Sequence, residues 1–233
     1  MKASVYGIPD FPFGKKALPD ERLDKLEELY KAQKKTQIQV EYVTDKDLKT
    51  ADAIICLKEK KLDLVIMDME VLEARQQKAL TDEEKKIVDR AQALLEKEQL
   101  LMEGDFNEEE KKWIANNNLV TAKPIILISR EEVDALPALT RRAYYDAGRI
   151  VFLTGGVKEA RTWEIRKGST AVEAAHAIHS DIARGFIRAE VMSYADLVRI
   201  GNVNQAKSSG CLRQEGKEYI VADGDVMEFK FSV

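Results

Sequence analysis

The chain has 233 residues, 45% of them hydrophobic and 33% charged, with a formal net charge of -4 and a pI near 5.5. That length suits one larger or two modest domains with a real core, and the acidic balance supplies no global field for nucleic acid, so RNA would have to meet a local patch and DNA is not expected. No apolar run is long enough to span a bilayer and the N-terminus turns polar within a few residues, so neither a signal peptide nor a membrane partner is expected, and the expected location is the cytoplasm.

In chain order, "KASVYG" reads as a short buried strand. It runs into "GIPDFPFGKK", which has two glycines and a lysine but is not a phosphate-binding loop. Gly7 and Gly14 are too far apart for G-x-x-x-x-G-K-[ST], Pro9 and Pro12 have no N–H to offer, and Lys16 stands where the Mg²⁺-ligating hydroxyl belongs. Gly14 and Lys15 are expected in an ordinary turn. "LPDERLDKLEELYKAQ" reads as a helix with Pro19 in its first turn and Leu23, Leu26 and Leu29 on one face. "TQIQVEYV" alternates as a strand, and "ADAIICL" is apolar enough to be covered on both faces. From about 62 to 102 the pattern is helical, and the capping box at Thr81 and Glu84 divides it into a hairpin expected to project from the sheet. Asn107 and Glu110 cap a further helix, "AKPIILIS" is a buried strand, and "ALTRRAYYDAG" is a helix ending at Gly148. "RIVFLT" is a strand, and Gly155-Gly156 marks the expected domain boundary. Beyond it, "TAVEAAHAIHSDIARGF" reads as one helix and "YIVADGDVMEFKFSV" as two strands about the Asp223-Gly224 turn. This order would suit a small β-grasp sheet.

"GVKEARTWEI", "IHSDIARGFIRAEV" and "LRQEGKEYIVADGDVMEFKFSV" strongly resemble the TGS domain that ends the YchF, or Obg-like ATPase, family of P-loop proteins. "LPDERLDKLEELY", "ADAIICL", "LDLVIMDMEVLEAR" and "FNEEEKKWIANNNLVTAKPIILIS" extend the resemblance over nearly the whole chain. It implies an α/β fold: a remnant of a GTPase-type parallel sheet with the helical insertion over residues 1–156, then a TGS β-grasp domain over 157–233. Three family motifs are missing. The phosphate loop between "GIP" and "FPF" is deleted, "TDKDLKTADAII" has no Asp-x-x-Gly switch, and Arg130 stands where a base-reading Asn should be.

Phosphoryl transfer depends on that loop, its Lys and Mg²⁺, so the expectation is a pseudo-GTPase: not an enzyme, with no cofactor or metal. The resemblance implies RNA or ribosome binding through the TGS domain; the charged faces of the hairpin read as a solvated surface, with a surface for a protein partner as the alternative. The cationic candidates are Lys167, Arg184, Arg188, Arg199, Lys207 and Arg213; Arg184 and Arg188 share a face if the helix continues through Gly185. They could equally balance Asp181, Glu190 and Asp196 on a solvated surface. The alternatives are a regulatory module that binds a small phosphorylated nucleotide, and residual ATP or GTP binding as in the parent family. His176 and His179, three apart, lack a third ligand at metal-site spacing, and capping or packing near Ser180 and Asp181 suits His179 better. Trp113, Trp163 and Tyr144-Tyr145 read as packing aromatics. Cys56 and Cys211 lie far apart without C-x-x-C partners, which suggests a reducing compartment; Cys56 should be inert within its strand.

Overall fold

A computed structural model of the chain describes residues 1–78 and 80–232, the Lys207 side chain excepted. The first half runs β1 (Lys2–Tyr6), β2 (Gly14–Ala17), α1 (Glu21–Tyr30), β3 (Lys35–Thr36), β4 (Gln39–Val43) and β5 (Ala53–Leu57). The helical stretch follows as α2 (Lys61–Gln76), α3 (Asp82–Leu95) and α4 (Glu108–Asn116), then β6 (Ile125–Ile128), α5 (Glu131–Asp134) and α6 (Leu136–Asp146). The remainder is β7 (Arg149–Gly155), β8 (Ala160–Arg166), α7 (Ala171–Ile178), α8 (Ser180–Arg184), β9 (Phe186–Ser193), α9 (Tyr194–Ile200), α10 (Val203–Ser208), β10 (Arg213–Glu215) and β11 (Asp225–Phe231). The fold is mixed α/β with two sheets. Its residues group into two compact units: Met1–Lys16 with Val40–Ala147, and Ala17–Gln39 with the chain from Gly148 on. Gly155-Gly156 is therefore not a boundary but the hairpin turn from β7 to β8 inside the second unit, where the Gly156 N–H donates to the Glu159 carbonyl at 3.0 Å.

In the first unit the sheet order is β2-β4-β1-β5-β6, with β1 parallel to both β4 and β5 and β5 parallel to β6. All five residues of β5 are buried, as an apolar run covered on both faces requires. Gly14 and Lys15 open the edge strand β2 and do not form a free turn. The capping boxes are present: Thr81 accepts from the Glu84 N–H while Glu84 accepts from the Thr81 N–H, and Asn107 and Glu110 repeat the exchange. The hairpin α2–α3 does not project. Leu64, Leu72, Val88 and Leu95 join Ile54 and Cys56 of the sheet in one core, because its apolar stripe is continuous with the sheet face.

A carboxylate that the periodicity gave no reason to single out holds this packing. Asp68, 1% exposed, accepts from the backbone N–H groups of Val120 and Thr121 at 2.8 and 2.7 Å and from the Thr121 hydroxyl at 2.5 Å. Burial raises its pKa against the lowering effect of those bonds.

In the second unit the sheet order is β10-β9-β11-β7-β8-β3, with β11 parallel to β7 and antiparallel to β9. Ala171, Ala174 and Ala175 of α7 pack on Phe152, Ile165 and Val191 of one sheet face. α1 belongs here, with Leu23 and Leu26 fully buried, and Pro19 lies just outside it, before the N-cap Asp20. The expected strand "TQIQVEYV" is divided, β3 pairing with β8 while β4 joins the other sheet. Two further expectations fail. The single helix over 171–184 breaks at His179, which is extended at φ -164°, ψ 142°, and its Nδ1 accepts the Asp181 N–H to cap α8. Only one strand flanks Asp223-Gly224; residues 219–221 make just an isolated bridge between Ile220 and Thr170. The reason is that Asp223 is tied elsewhere, its Oδ1 accepting from the Val151 N–H and its Oδ2 from Arg22.

Arg22 also binds Asp20 twice, through Nε at 2.8 Å and Nη2 at 2.7 Å. Arg22→Ala leaves the buried Asp20 carboxylate without its cation and is expected to lower the unfolding free energy by on the order of 3 kcal/mol in urea titration. Asp68→Ala orphans three donors and is expected to cost roughly 2–4 kcal/mol by the same measurement. A loss below about 0.5 kcal/mol for either would show that its network does not hold the packing.

Candidate functional site

In the first unit, the carboxyl ends of the parallel strands β1 and β4 border a crevice, the place where open α/β sheets hold ligands. A cavity of about 320 Å³ lies there, lined by Val5, Gly7, Ile8, Pro9, Phe13, Thr44 and Asp45. Gly7 takes φ +79°, and a Cβ on it would lie 2.9 Å from Lys60 Cγ, so the backbone and that lysine stem are in close approach. Lys60 is already committed, its Nζ 3.1 Å from Asp63 Oδ2. From Gly7 the chain folds over itself: the Phe11 N–H donates to the Ile8 carbonyl at 3.3 Å, and the buried Phe11 ring meets Tyr42 edge-on at 4.9 Å. No row of N–H groups of the kind that cradles a phosphate can form across Pro9 and Pro12. Asp45 lies in a 3₁₀ turn over Asp45–Asp47, and Arg130 is exposed immediately before α5.

The cationic candidates lie in the second unit, and the structure separates them. Arg184 ends α8 while Arg188 lies within β9, in register with Lys230 of β11, so they share no helix face. Gly185 caps the end of α8 and must be glycine, since a Cβ there would lie 1.8 Å from the Ser232 carbonyl oxygen. Arg188 pairs with Glu190 at 3.3 Å, and its Nε is buried with no hydrogen-bond partner among the described residues. Arg213 donates to the Tyr219 hydroxyl at 2.8 Å, and Tyr219 in turn donates to buried Asp225 at 2.7 Å; these two arginines brace the sheet. Arg184 and Arg199 are exposed, paired with the neighbouring Asp181 and Asp196. Lys167 is exposed without an ion pair among the described residues, and the Lys207 side chain lies outside the description.

A cluster that the sequence reading did not assemble lies beside Arg184. Arg149, Arg166 and His176 line one shallow concavity of about 580 Å³, with Glu173 and Ala183 on its wall. Glu173 is occupied in a third capping box with Thr170, and Arg149 pairs with Glu164 at 3.2 Å, while Arg166 and His176 are exposed. The alternation of β8 could have flagged Arg166, but nothing in the spacing links it to His176. No group of three or more His, Cys, Asp or Glu side chains among the described residues is placed to hold a metal ion. Trp163 stacks on Phe152 with ring centroids 6.3 Å apart and carries the Arg161 guanidinium 3.9 Å from its ring centroid, so it is a packing residue. Trp113 donates to Glu84 at 3.0 Å.

Burial pushes the Cys56 thiol up to about 12, whereas Cys211 is half-exposed with an Arg199 nitrogen 3.7 Å from its sulfur. An aromatic disulfide reagent is therefore expected to titrate one thiol in the folded protein and a second only in denaturant; two fast thiols would show that the β5 core opens readily.

Residues 150–232 match the family model YchF-GTPase_C, described as a protein of unknown function (DUF933). The ribosome-binding ATPase YchF of Haemophilus influenzae is 46% identical over 102 residues, which are 44% of this chain and 28% of that protein. Obg-like ATPase 1 of Homo sapiens is 45% identical over 98 residues, 42% of this chain and 25% of its own length. The ribosome-binding ATPase YchF of Bacillus subtilis is 29% identical over 247 aligned positions, covering 78% of this chain and 68% of that protein. That alignment is longer than the chain, so the relative carries stretches with no counterpart here. The solved structure of the Schizosaccharomyces pombe YchF GTPase superposes with a TM-score of 0.81 at 21% identity over 99% of this chain and 97% of that one, which supports the GTPase-like α/β fold. The expectation of a non-enzyme is corrected by these names: the relatives are ATPases, so the chain is similar to a family of enzymes.

Proposed function

We propose, from its similarity to the YchF/Obg-like ATPases, that the chain associates with the ribosome in the cytoplasm, contacting RNA through its second unit, a β-grasp sheet of the TGS type, without needing a nucleotide at the Gly7–Gly14 crevice. The observation that carries this is where the similarity lies: the family model covers residues 150–232, and relatives named for ribosome binding reach 46% identity over about a hundred residues. The exposed cations there are suited to phosphate. Exposed i,i+3 pairs such as Arg184 with Asp181 are worth at most about 1 kcal/mol, so either arginine exchanges its carboxylate for a phosphate at little cost. Arg166 and His176 add a basic concavity near Arg184.

Co-sedimentation with ribosomes tests it. The wild type is expected to pellet with them equally with and without Mg-ATP, and Arg166→Glu with Arg184→Glu to lose that binding, while Arg188→Glu lowers stability more than a surface change would. Pelleting of the double variant at the wild-type level would sink the proposed face. A second reading keeps ATP or GTP in the crevice of about 320 Å³, favoured by the ATPase names of the relatives. It requires millimolar Mg-ATP, Mg-GTP or guanosine tetraphosphate to raise the melting temperature, and it fails if none does.

A further inference from the structure

An apolar hollow of the first unit shares no lining residue with either candidate site. It has a volume of about 590 Å³, within the range of small-molecule sites, and buried Phe106, Ile114 and Leu119 form its floor. Lys49, Lys111 and Lys123 line it, and no carboxylate does. Lys111 carries an ion pair with exposed Glu108 at 2.8 Å, whereas Lys49 has none among the described residues. Lys123 is held in place, its Nζ donating to the carbonyls of Leu48 and Ala51 at 2.8 Å each. Burial pulls its pKa down, with Asp52 the carboxylate that faces it. Met102 stands at the wall, 43% exposed, its thioether accepting the Ile125 N–H at 3.3 Å. A thioether is a weak acceptor on a flexible stem, so this side chain can swing aside at small cost.

From the apolar floor and a rim whose charged side chains are all lysines we propose that this hollow binds a small molecule with an apolar chain that ends in a carboxylate. The chain lies against Phe106, Ile114 and Leu119, and the carboxylate meets Lys49 and Lys111 at the rim. Lysine ammonium groups serve a single carboxylate as point charges and do not need the fixed fork of an arginine.

Calorimetric titration with decanoate, below the concentration at which it forms micelles, tests this against two ligands of equal chain length, decanol and decyltrimethylammonium. Decanoate is expected to bind one per chain and to raise the melting temperature, and Lys49→Glu with Lys111→Glu to weaken it by about tenfold or more. Ala115→Trp, at an exposed lining position of α4, fills the mouth and is expected to abolish binding with the helix content unchanged. The proposal is overturned if decanoate does not bind, if decyltrimethylammonium binds as tightly, or if the charge-reversed or tryptophan variant binds decanoate like the wild type.

Discussion

The second unit depends on one guanidinium. Arg22 binds Asp20 at the start of α1 and Asp223 in the turn before β11, so residues 201 positions apart meet in one partly buried ionic knot. Asp223 also accepts from Val151 of β7, and the next N–H, that of Gly224, donates back to the Val151 carbonyl at 2.7 Å. Gly224 has φ +88°, and a Cβ there would lie 2.6 Å from Arg22 Nη1, so only glycine lets the arginine approach. The knot thus sets where α1 sits on the sheet and where β11 enters between β9 and β7. It also accounts for the loss of the expected hairpin, since the turn that would have joined two strands is spent on holding a helix.

In the first unit, the matching constraint is on backbone donors. A phosphate crevice at the ends of parallel strands works because consecutive N–H groups point into it. Here two prolines remove donors, and the segment between them anchors itself by burying Phe11 against Tyr42. The chain satisfies its own core at the position where the related ATPases are expected to place a loop. The hollow survives, but its recognition groups differ from those of a phosphate loop.

The cations of the second unit divide by what else they touch. Arg188 and Arg213 lie in strands and share partners with Glu190, Tyr219 and Asp225, so moving them disturbs the sheet. Arg184 and Arg199 end short helices and touch a neighbouring carboxylate and, for Arg199, the Cys211 sulfur. Charge alone does not distinguish the two sets, because both are basic residues in a chain of evenly mixed charge. Position in a ladder or at a helix end does.

What was legible in the sequence is what short-range chemistry dictates. The capping boxes at Thr81 and Asn107, the doubly covered run "ADAIICL" and the lack of a phosphate-loop motif each rest on residues a few positions apart, whose interactions form whatever the rest of the chain does. A cap at His179 was one of two readings its neighbours allowed, the other being packing, and the structure has the cap. The helix break there was not legible, nor the need for a glycine at 185, where Ser232 nearly fifty residues on leaves no room for a Cβ. The basic concavity was equally hidden, because Arg149, Arg166 and His176 converge only once β7, β8 and α7 have packed. Asp68 reads as one more charge on a helix until residues about fifty positions away surround it with three donors. Spacing encodes neighbours within a turn or a strand; neighbours across the sheet are chosen by burial and hydrogen-bond satisfaction of the whole chain, and only the tertiary structure decided those.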